Sequence, residues 1–331
     1  MMKTSIALCT YNGEKYLEEQ LESYSDQIRQ PDELVICDDC STDSTRELIR
    51  SFTARSPFKI RLVCNERNLG YIKNFEKAVS LCTGDIIFLS DQDDIWRPEK
   101  LSTIRDLFDR DESIGMVYAD ATIVSEKLEP RGETMWQKIG FDQRKQEDFR
   151  NGKALDWLLR DGYVLGSSMA FRATLKRTLV PIPEDTYFIH DNWIALIASC
   201  LSNIGIINQP LTRYRQHDGQ ASSGLKNYDS SRLQTLIYSI RRHNQYEGTI
   251  RQLEILLDRL EGCADVSGEV IAKIGMAKKH FEMRAGIPVE IIPRLRKVSQ
   301  ELIAGRYDRF SNGVRSAVRD LISTQNQDKL S

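Results

Sequence analysis

The 331 residues are enough for one large domain and a smaller appendage, and 40% hydrophobic with 28% charged residues excludes collagen-like, low-complexity and wholly disordered chains. A net charge of −2 argues against a nucleic-acid binder, which needs surplus Lys and Arg to displace counterions from phosphates. The balance is uneven, however: residues 271–331 carry 12 Lys and Arg against 6 Asp and Glu.

The first residues pass straight into a strand-like run without the long apolar stretch of a signal peptide, so a cytoplasmic protein is expected. The longest apolar stretch, at 193–201, is too short to span a bilayer. Seven cysteines in mostly apolar contexts read as reduced core thiols. Cys37 and Cys40 form a C-x-x-C pair, but no second ligand pair at zinc spacing follows, so the pair is read as coincidence.

Over the first 120 residues short apolar runs at 5–9, 33–37, 59–64, 85–89 and 115–119 predict strands. Between them, Leu17, Leu21, Tyr24 and Ile28, then Ile72, Phe75, Val79 and Cys82, then Leu101, Ile104 and Phe108 recur at helical spacing. The alternation predicts an α/β layer around a mostly parallel sheet with flanking helices. Less regular chain follows, with a Trp136-containing loop, a helix near 154–160 and a Gly166–Ser167–Ser168 segment. A helix opening at His190 and a strand pair at 204–207 and 211–216 come next. Residues 219–224 read as a flexible loop, and beyond it Leu233, Leu236, Ile240, Ile250, Leu253, Leu257 and Leu260 mark helix faces. The expected division is a catalytic domain over 1–225 and a helical C-terminal region over 226–331. Residues 284–297 mix apolar and basic side chains in the manner of a membrane-surface segment, with a solvated tail or a homodimer contact as alternatives.

In open parallel sheets ligands sit beyond the carboxyl ends of the strands. Here those ends are Thr10–Tyr11–Asn12–Gly13–Glu14, Asp38–Asp39–Cys40–Ser41–Thr42–Asp43, Asn65 to Gly70, and Ser90–Asp91–Gln92–Asp93–Asp94. The last supplies carboxylates suited to Mg²⁺ or Mn²⁺, hard cations that take one or two carboxylates together with phosphate oxygens and water. If strand alternation continues, Asp91 and Asp93 point to one side. Asp38 and Asp39 follow a second buried strand and could accept hydrogen bonds from a base or ribose. Asp43 or Ser41 is the better helix cap, which leaves that pair without a structural duty.

These segments, with His190–Asp191 and Tyr214–Arg215–Gln216–His217, occur in an order and spacing that resembles the family 2 glycosyltransferases of the GT-A, Rossmann-like fold. The likeness is strongest to rhamnosyltransferase-like members of bacterial surface-polysaccharide pathways and covers residues 3 to about 220. The resemblance implies that Thr10, Tyr11, Asn12 and Glu14 line the nucleotide pocket, that Asp39 beside Asp38 contacts the base, and that Asn68, Gly70 and Asn74 lie near the nucleotide. It implies Asp91 and Gln92 near ribose or metal, Asp93 as metal ligand, and Asp94 without an assigned role. Asp191 would be the general base, with helix capping as the plain alternative. Arg213 and Arg215 would close over the diphosphate and His217 would reach the metal, while Trp96 and Trp193 could face a sugar or sit in the core.

Two positions depart from the family pattern: Cys40 stands where Gly is usual, suggesting a different turn, and Asn192 where Trp is frequent. The implied reaction is inverting, metal-dependent transfer from a nucleotide sugar to a glycan or polyprenyl-linked glycan. dTDP-L-rhamnose is the favoured donor and UDP-galactose or UDP-glucose the next. A sugar nucleotidyltransferase and a catalytically silent carbohydrate-binding protein are the alternatives.

Overall fold

Six of the seven residues from Thr4 to Thr10, and all five from Ile86 to Ser90, are buried, and such runs form strands covered on both faces. They are β1 (Thr4–Thr10) and β4 (Ile86–Ser90), which lie side by side and parallel at the centre of a nine-stranded sheet. This computed structural model describes residues 2–160, 164–184, 189–218, 220 and 245–322. The expected loop at 219–224 and the helix faces at Leu233, Leu236 and Ile240 lie almost wholly outside these residues.

Strands β2 (Glu33–Asp38) and β3 (Lys59–Cys64) extend the parallel block outward from β1, giving the order β3-β2-β1-β4. Helices α1 (Leu17–Ser25), α2 (Thr45–Thr53) and α3 (Tyr71–Leu81) make the crossovers. Their buried Leu17, Leu21, Tyr24, Ile49 and Phe52 join Ile6, Leu8, Leu34, Ile36 and Phe88 in one core. Beyond β4 the sheet turns mixed. The strand β8 (Met169–Arg172) runs antiparallel to both β4 and β6 (Ile114–Val124). Next, β9 (Asn203–Arg215) lies parallel to β6, and the two-residue β5 (Ile95–Trp96) pairs antiparallel with β9. A hairpin arm, β7 (Pro130–Thr134), pairs with β6. Helix α4 (Lys100–Arg110) buries Leu101, Ile104 and Phe108 as its spacing predicts.

Three expectations are corrected. Ile28 is exposed because α1 stops at Ser25 and the chain turns before completing the stripe. The strand pair at 204–207 and 211–216 is one continuous strand, β9, which follows β6 along its length through register shifts near Asp120. The cysteines are free, but Cys64, at the end of the outermost parallel strand, is exposed.

The chain divides into two compact units. The first comprises Met1–Ala154, Tyr163–Glu184 and Ile189–Leu225 and holds the sheet. The second comprises Leu155–Gly162, Asp185–Phe188 and Lys226–Ser331. Between α4 and β9 come α5 (Met135–Lys138), α6 (Gln143–Arg150), α7 (Ala154–Leu158), α8 (Lys176–Leu179) and α9 (His190–Leu201). The described part of the C-terminal stretch has only helices as regular elements: α10 (Gln245–Leu260), α11 (Gly268–Ala285), α12 (Ile291–Ile303), α13 (Arg306–Phe310) and α14 (Val314–Ile322). Among the described residues no helix is long and apolar enough to cross a membrane.

Candidate active site

In the order β3-β2-β1-β4 the chain adds β2 and β3 on one side of β1 and β4 on the other, the switch point beyond whose strand ends such sheets bind ligands. Buried hydrogen bonds tie the loops at that edge together. Asp38 Oδ1 accepts from Thr10 Oγ1 at 3.1 Å, and its Oδ2 accepts from the Ser41 amide at 3.1 Å and Arg46 Nε at 2.6 Å. Asp39 Oδ1 accepts from Asn65 Nδ2 and the Leu69 amide, both at 2.8 Å, and Oδ2 from the Gly70 amide at 2.9 Å. Both carboxylates therefore carry structural duties, contrary to the expectation, because a buried anion needs several donors around it. Asp38 is wholly enclosed, while Asp39 organises the loop that brings Asn68 and Gly70 to the crevice. Neither Asp43 nor Ser41 is the cap expected for α2, whose N-cap position is Ser44 without a side-chain bond; Asp43 instead accepts from the Thr45 amide in the turn before the helix.

Cys40 takes φ 66°, the left-handed region that glycine favours, and its Sγ bonds the Asn65 carbonyl at 3.1 Å. The turn therefore has a backbone that a glycine would also take. Asn12 is also left-handed at φ 47°, with its amide on Ser41 Oγ and its Oδ1 on the Thr42 amide. Glu14 accepts from the Ser44 amide at 2.9 Å. Tyr11 is exposed, whereas Thr10 is buried. Asn74 is buried too and spans the Cys37 carbonyl and Asn65, so it supports the wall from behind.

Strand β4 ends at Ser90, whose hydroxyl receives bonds from Gln20 and Tyr24, and Asp91–Asp94 form a turn. Strand alternation thus does not govern which way Asp91 and Asp93 point. Gln92 spends its amide on the backbone of Tyr11, accepting at 2.8 Å and donating at 3.0 Å, and so clamps the β1 loop to the β4 turn. Gly13 permits this, since a Cβ there would meet Gln92 Oε1 at 2.3 Å. Asp93 Oδ2 lies 2.8 Å from His217 Nε2, so residues 124 positions apart meet. Asp94 is fully buried, with Oδ1 on the Arg215 amide at 3.1 Å.

Arg215 does not face the crevice as expected. It is buried, with Nε on the Asp93 carbonyl at 2.9 Å, Nη1 on the Glu126 carbonyl at 2.8 Å, an ion pair to Glu19, and its guanidinium over the Tyr16 ring. Its internal bonds hold the Asp93 turn against β9. Trp96 and Trp193 are both core residues, and Trp193 donates to the Leu179 carbonyl.

Asp191 lies in the first turn of α9, but its carboxylate does not cap that helix. Oδ2 accepts from the Gly166 amide at 2.9 Å. Oδ1 approaches His190 Nε2 at 2.6 Å, yet makes no hydrogen bond of acceptable geometry. Gly166 is obligatory for this approach, because a Cβ there would sit 2.5 Å from Oδ1 and 2.8 Å from Cγ. The His190 ring stacks on Phe75 at 4.1 Å between centroids.

The carboxylates share one electrostatic basin. Burial pushes Asp91 well above the ordinary carboxylate range, with Asp94, Asp93 and Asp191 adding repulsion and Lys100 opposing it. Burial and Asp93 push Asp94 up to about 7. Lys100 had no signal in the sequence beyond its place at a helix start. It is wholly buried, with Nζ 2.5 Å from the Ser167 carbonyl, 2.9 Å from Thr212 Oγ1 and 3.8 Å from the Trp96 ring centroid. Burial pulls its pKa down to about 7 against the attraction of Asp94 and Asp91. Crowded carboxylates backed by the partly neutralised Lys100 suit a divalent ion. Among the described residues no group of three or more potential ligands is preformed, so Asp93, His217 and Asp91 would need phosphate oxygens and water to complete a shell.

Residues 5–163 match the family described as Glycosyl transferase family 2. The chain is 27% identical over 218 residues to an uncharacterized glycosyltransferase of Nostoc sp., covering 65% of each protein. It is 26% identical over 223 residues to an uncharacterized protein of Mycobacterium bovis, covering 64% of this chain and 58% of that one. The chain thus spans about three fifths of the length of these curated relatives. Escherichia coli chondroitin synthase is 34% identical over 114 residues, 34% of this chain and 16% of that one. Among solved structures, S. aureus TarS 1–349 in complex with UDP-GlcNAc superposes with a TM-score of 0.61 at 18% identity, covering 97% of this chain and 89% of that one. The fold is thus the GT-A architecture that the sequence predicts, and the match to the family 2 glycosyl transferase model covers residues 5–163, about the first half of this chain.

Proposed function

We infer that this chain transfers a sugar from a nucleotide-sugar donor to a hydroxyl of a glycan or polyprenyl-linked glycan, with inversion, in cell-surface polysaccharide synthesis. The observation that carries this reading is the Asp191 carboxylate. One oxygen is fixed by the Gly166 amide and the other, 2.6 Å from His190 Nε2, makes no hydrogen bond of good geometry, and the carboxylate raises the proton affinity of Asp91. A held carboxylate opposite a phosphate-binding turn can take the proton of an acceptor hydroxyl as that oxygen attacks the anomeric carbon in line, and one displacement inverts the centre. Helix capping alone does not account for Asp191, which bonds a different segment.

Bound Mg²⁺ or Mn²⁺ would neutralise charge on the departing diphosphate. Asp93 and His217 would hold it, with Asp91 behind them, and Arg215 fixes the Asp93 turn from the protein side. The Asp39-organised loop, with Asn68 and Gly70, forms the nucleotide wall. UDP-GlcNAc in TarS and the polysaccharide named for chondroitin synthase support the donor and product classes, and the motif resemblance favours dTDP-L-rhamnose as the donor.

The test is release of nucleoside diphosphate from dTDP-L-rhamnose, UDP-galactose and UDP-glucose in the presence of lipid-linked acceptor. Asp191→Asn should lower turnover by about 10²–10⁴-fold with unchanged melting, and Asp93→Asn should abolish the response to Mg²⁺ or Mn²⁺. Full turnover by folded Asp191→Asn removes the base assignment. Retained anomeric configuration in the product, read by NMR, removes inversion.

A further inference from the structure

The C-terminal unit buries one stripe of its last helices and leaves a second apolar stripe outside. Ile287, Val298, Tyr307 and Ala317, with Met283, Leu302 and Leu321, form the buried cluster that joins α12 to α14. A helix with its core stripe satisfied should be polar elsewhere. Instead α12 exposes Ile291 at 71%, Ile292 at 80% and Leu295, following exposed Val289. Helix α14 exposes Val314, Val318 and Ile322, spaced i, i+4, i+8 along one line.

On both helices the exposed apolar arc is bordered by arginine: Arg296 follows Leu295 around α12, and Arg315 lies beside Val318 and Ile322 on α14. Lys297 and Arg309 are exposed as well, while the exposed acids between residues 286 and 322 are Glu290 and Asp308. The sequence placed the basic character at 284–297, but two of those arginines turn inward. Arg284 pairs with Asp320 at 2.6 Å, and Arg294 bonds the carbonyls of Pro288, Val289 and Leu321. The outward positive charge therefore comes from the residues that border the apolar arcs.

Single exposed apolar residues are ordinary, but arcs bordered by cations match helices that lie in a lipid headgroup layer, apolar side down and cations at phosphate level. A second copy of the chain would bring the same positive borders together, which opposes self-association through these arcs. We propose that these exposed arcs of the C-terminal unit dock on an anionic phospholipid surface. The proposal goes beyond sugar transfer and is read without substrate, so the two stand or fall separately.

The experiment is co-sedimentation of the full chain with vesicles of phosphatidylcholine alone or with 30% phosphatidylglycerol. Binding should require the anionic lipid and weaken with salt. Ile292→Asp with Leu295→Asp should cut binding about tenfold or more. Arg296→Glu with Lys297→Glu should cut it by at least about twentyfold, at roughly fivefold for each basic residue near the surface. All four positions are exposed, and circular dichroism would check that folding is retained. Negligible binding of the natural chain to anionic vesicles, or equal binding to both compositions, overturns the proposal. So does a natural dimer, seen by light scattering, that Ile292→Asp with Leu295→Asp converts to monomer.

Discussion

At the scale of single residues, the candidate site depends on groups that carry no chemistry themselves. Gly166 is the clearest, because its missing side chain is the space occupied by Asp191. Gly166→Ala should push that carboxylate by several tenths of an ångström or more, and displacements of that order at a reacting group cost about 10²-fold in rate. Turnover should fall to that extent while donor KM and melting temperature change little; unchanged kcat would show that Asp191 does not need this position. Lys100 and Arg215 likewise act from behind, offsetting the Asp91–Asp94 charges and fixing their turn. The chemistry-bearing Asp91, Asp93, Asp191 and His217 could be singled out because their segments occur together in the order and spacing of a known family, whereas Lys100 next to Leu101 resembles any helix start.

At the scale of elements, the C-terminal helices are held by a polar core that is sensitive to pH. His280 is wholly buried between Glu301, 2.9 Å from Nδ1, and Ser311, 2.9 Å from Nε2. Burial lowers its pKa, with Arg284 acting in the same direction and Glu301 opposing. Since the unfolded histidine titrates near 6.5, the unfolded state binds more protons as pH falls through that value, and stability is lost below about pH 6.5. Glu301, held low by Arg306 and His280 despite its burial, adds loss in the same direction at more acid pH. Hydrogen exchange over residues 268–311, corrected for intrinsic rate, should show protection falling between pH 7.5 and 5.5. His280→Gln should flatten that slope, and an unchanged slope would exclude His280 as its source. Helical spacing made these helices foreseeable, but this network joins positions up to 31 residues apart that no period links.

At the scale of the whole molecule, the candidate site belongs to the sheet-bearing unit and the lipid-facing arcs to the helical one. Nucleoside diphosphate with Mg²⁺ at a hundredfold excess over its Kd should stabilise the first unit by about 2.7 kcal/mol. Protection should rise at residues 5–124 and not at 268–322, and chelation of the metal should remove the gain. Protection confined to 268–322 would place the nucleotide elsewhere.

By itself the sequence determined the strands and crossover helices of a mostly parallel block, the polar loops at its carboxyl edge and the helical nature of the described C-terminal stretch, because period and strand-end chemistry are local properties of the chain; the order β3-β2-β1-β4 came from the structure. It also singled out Asp93, Asp191 and His217. Only the tertiary structure decided that β9 is one strand, that Arg215 faces inward, that Asp38 and Asp39 hold the loops together, and that Arg284 and Arg294 are buried. Those outcomes depend on which distant donor or acceptor arrives beside each buried charge. A chain of residues does not state that until the sheet has brought its edges together.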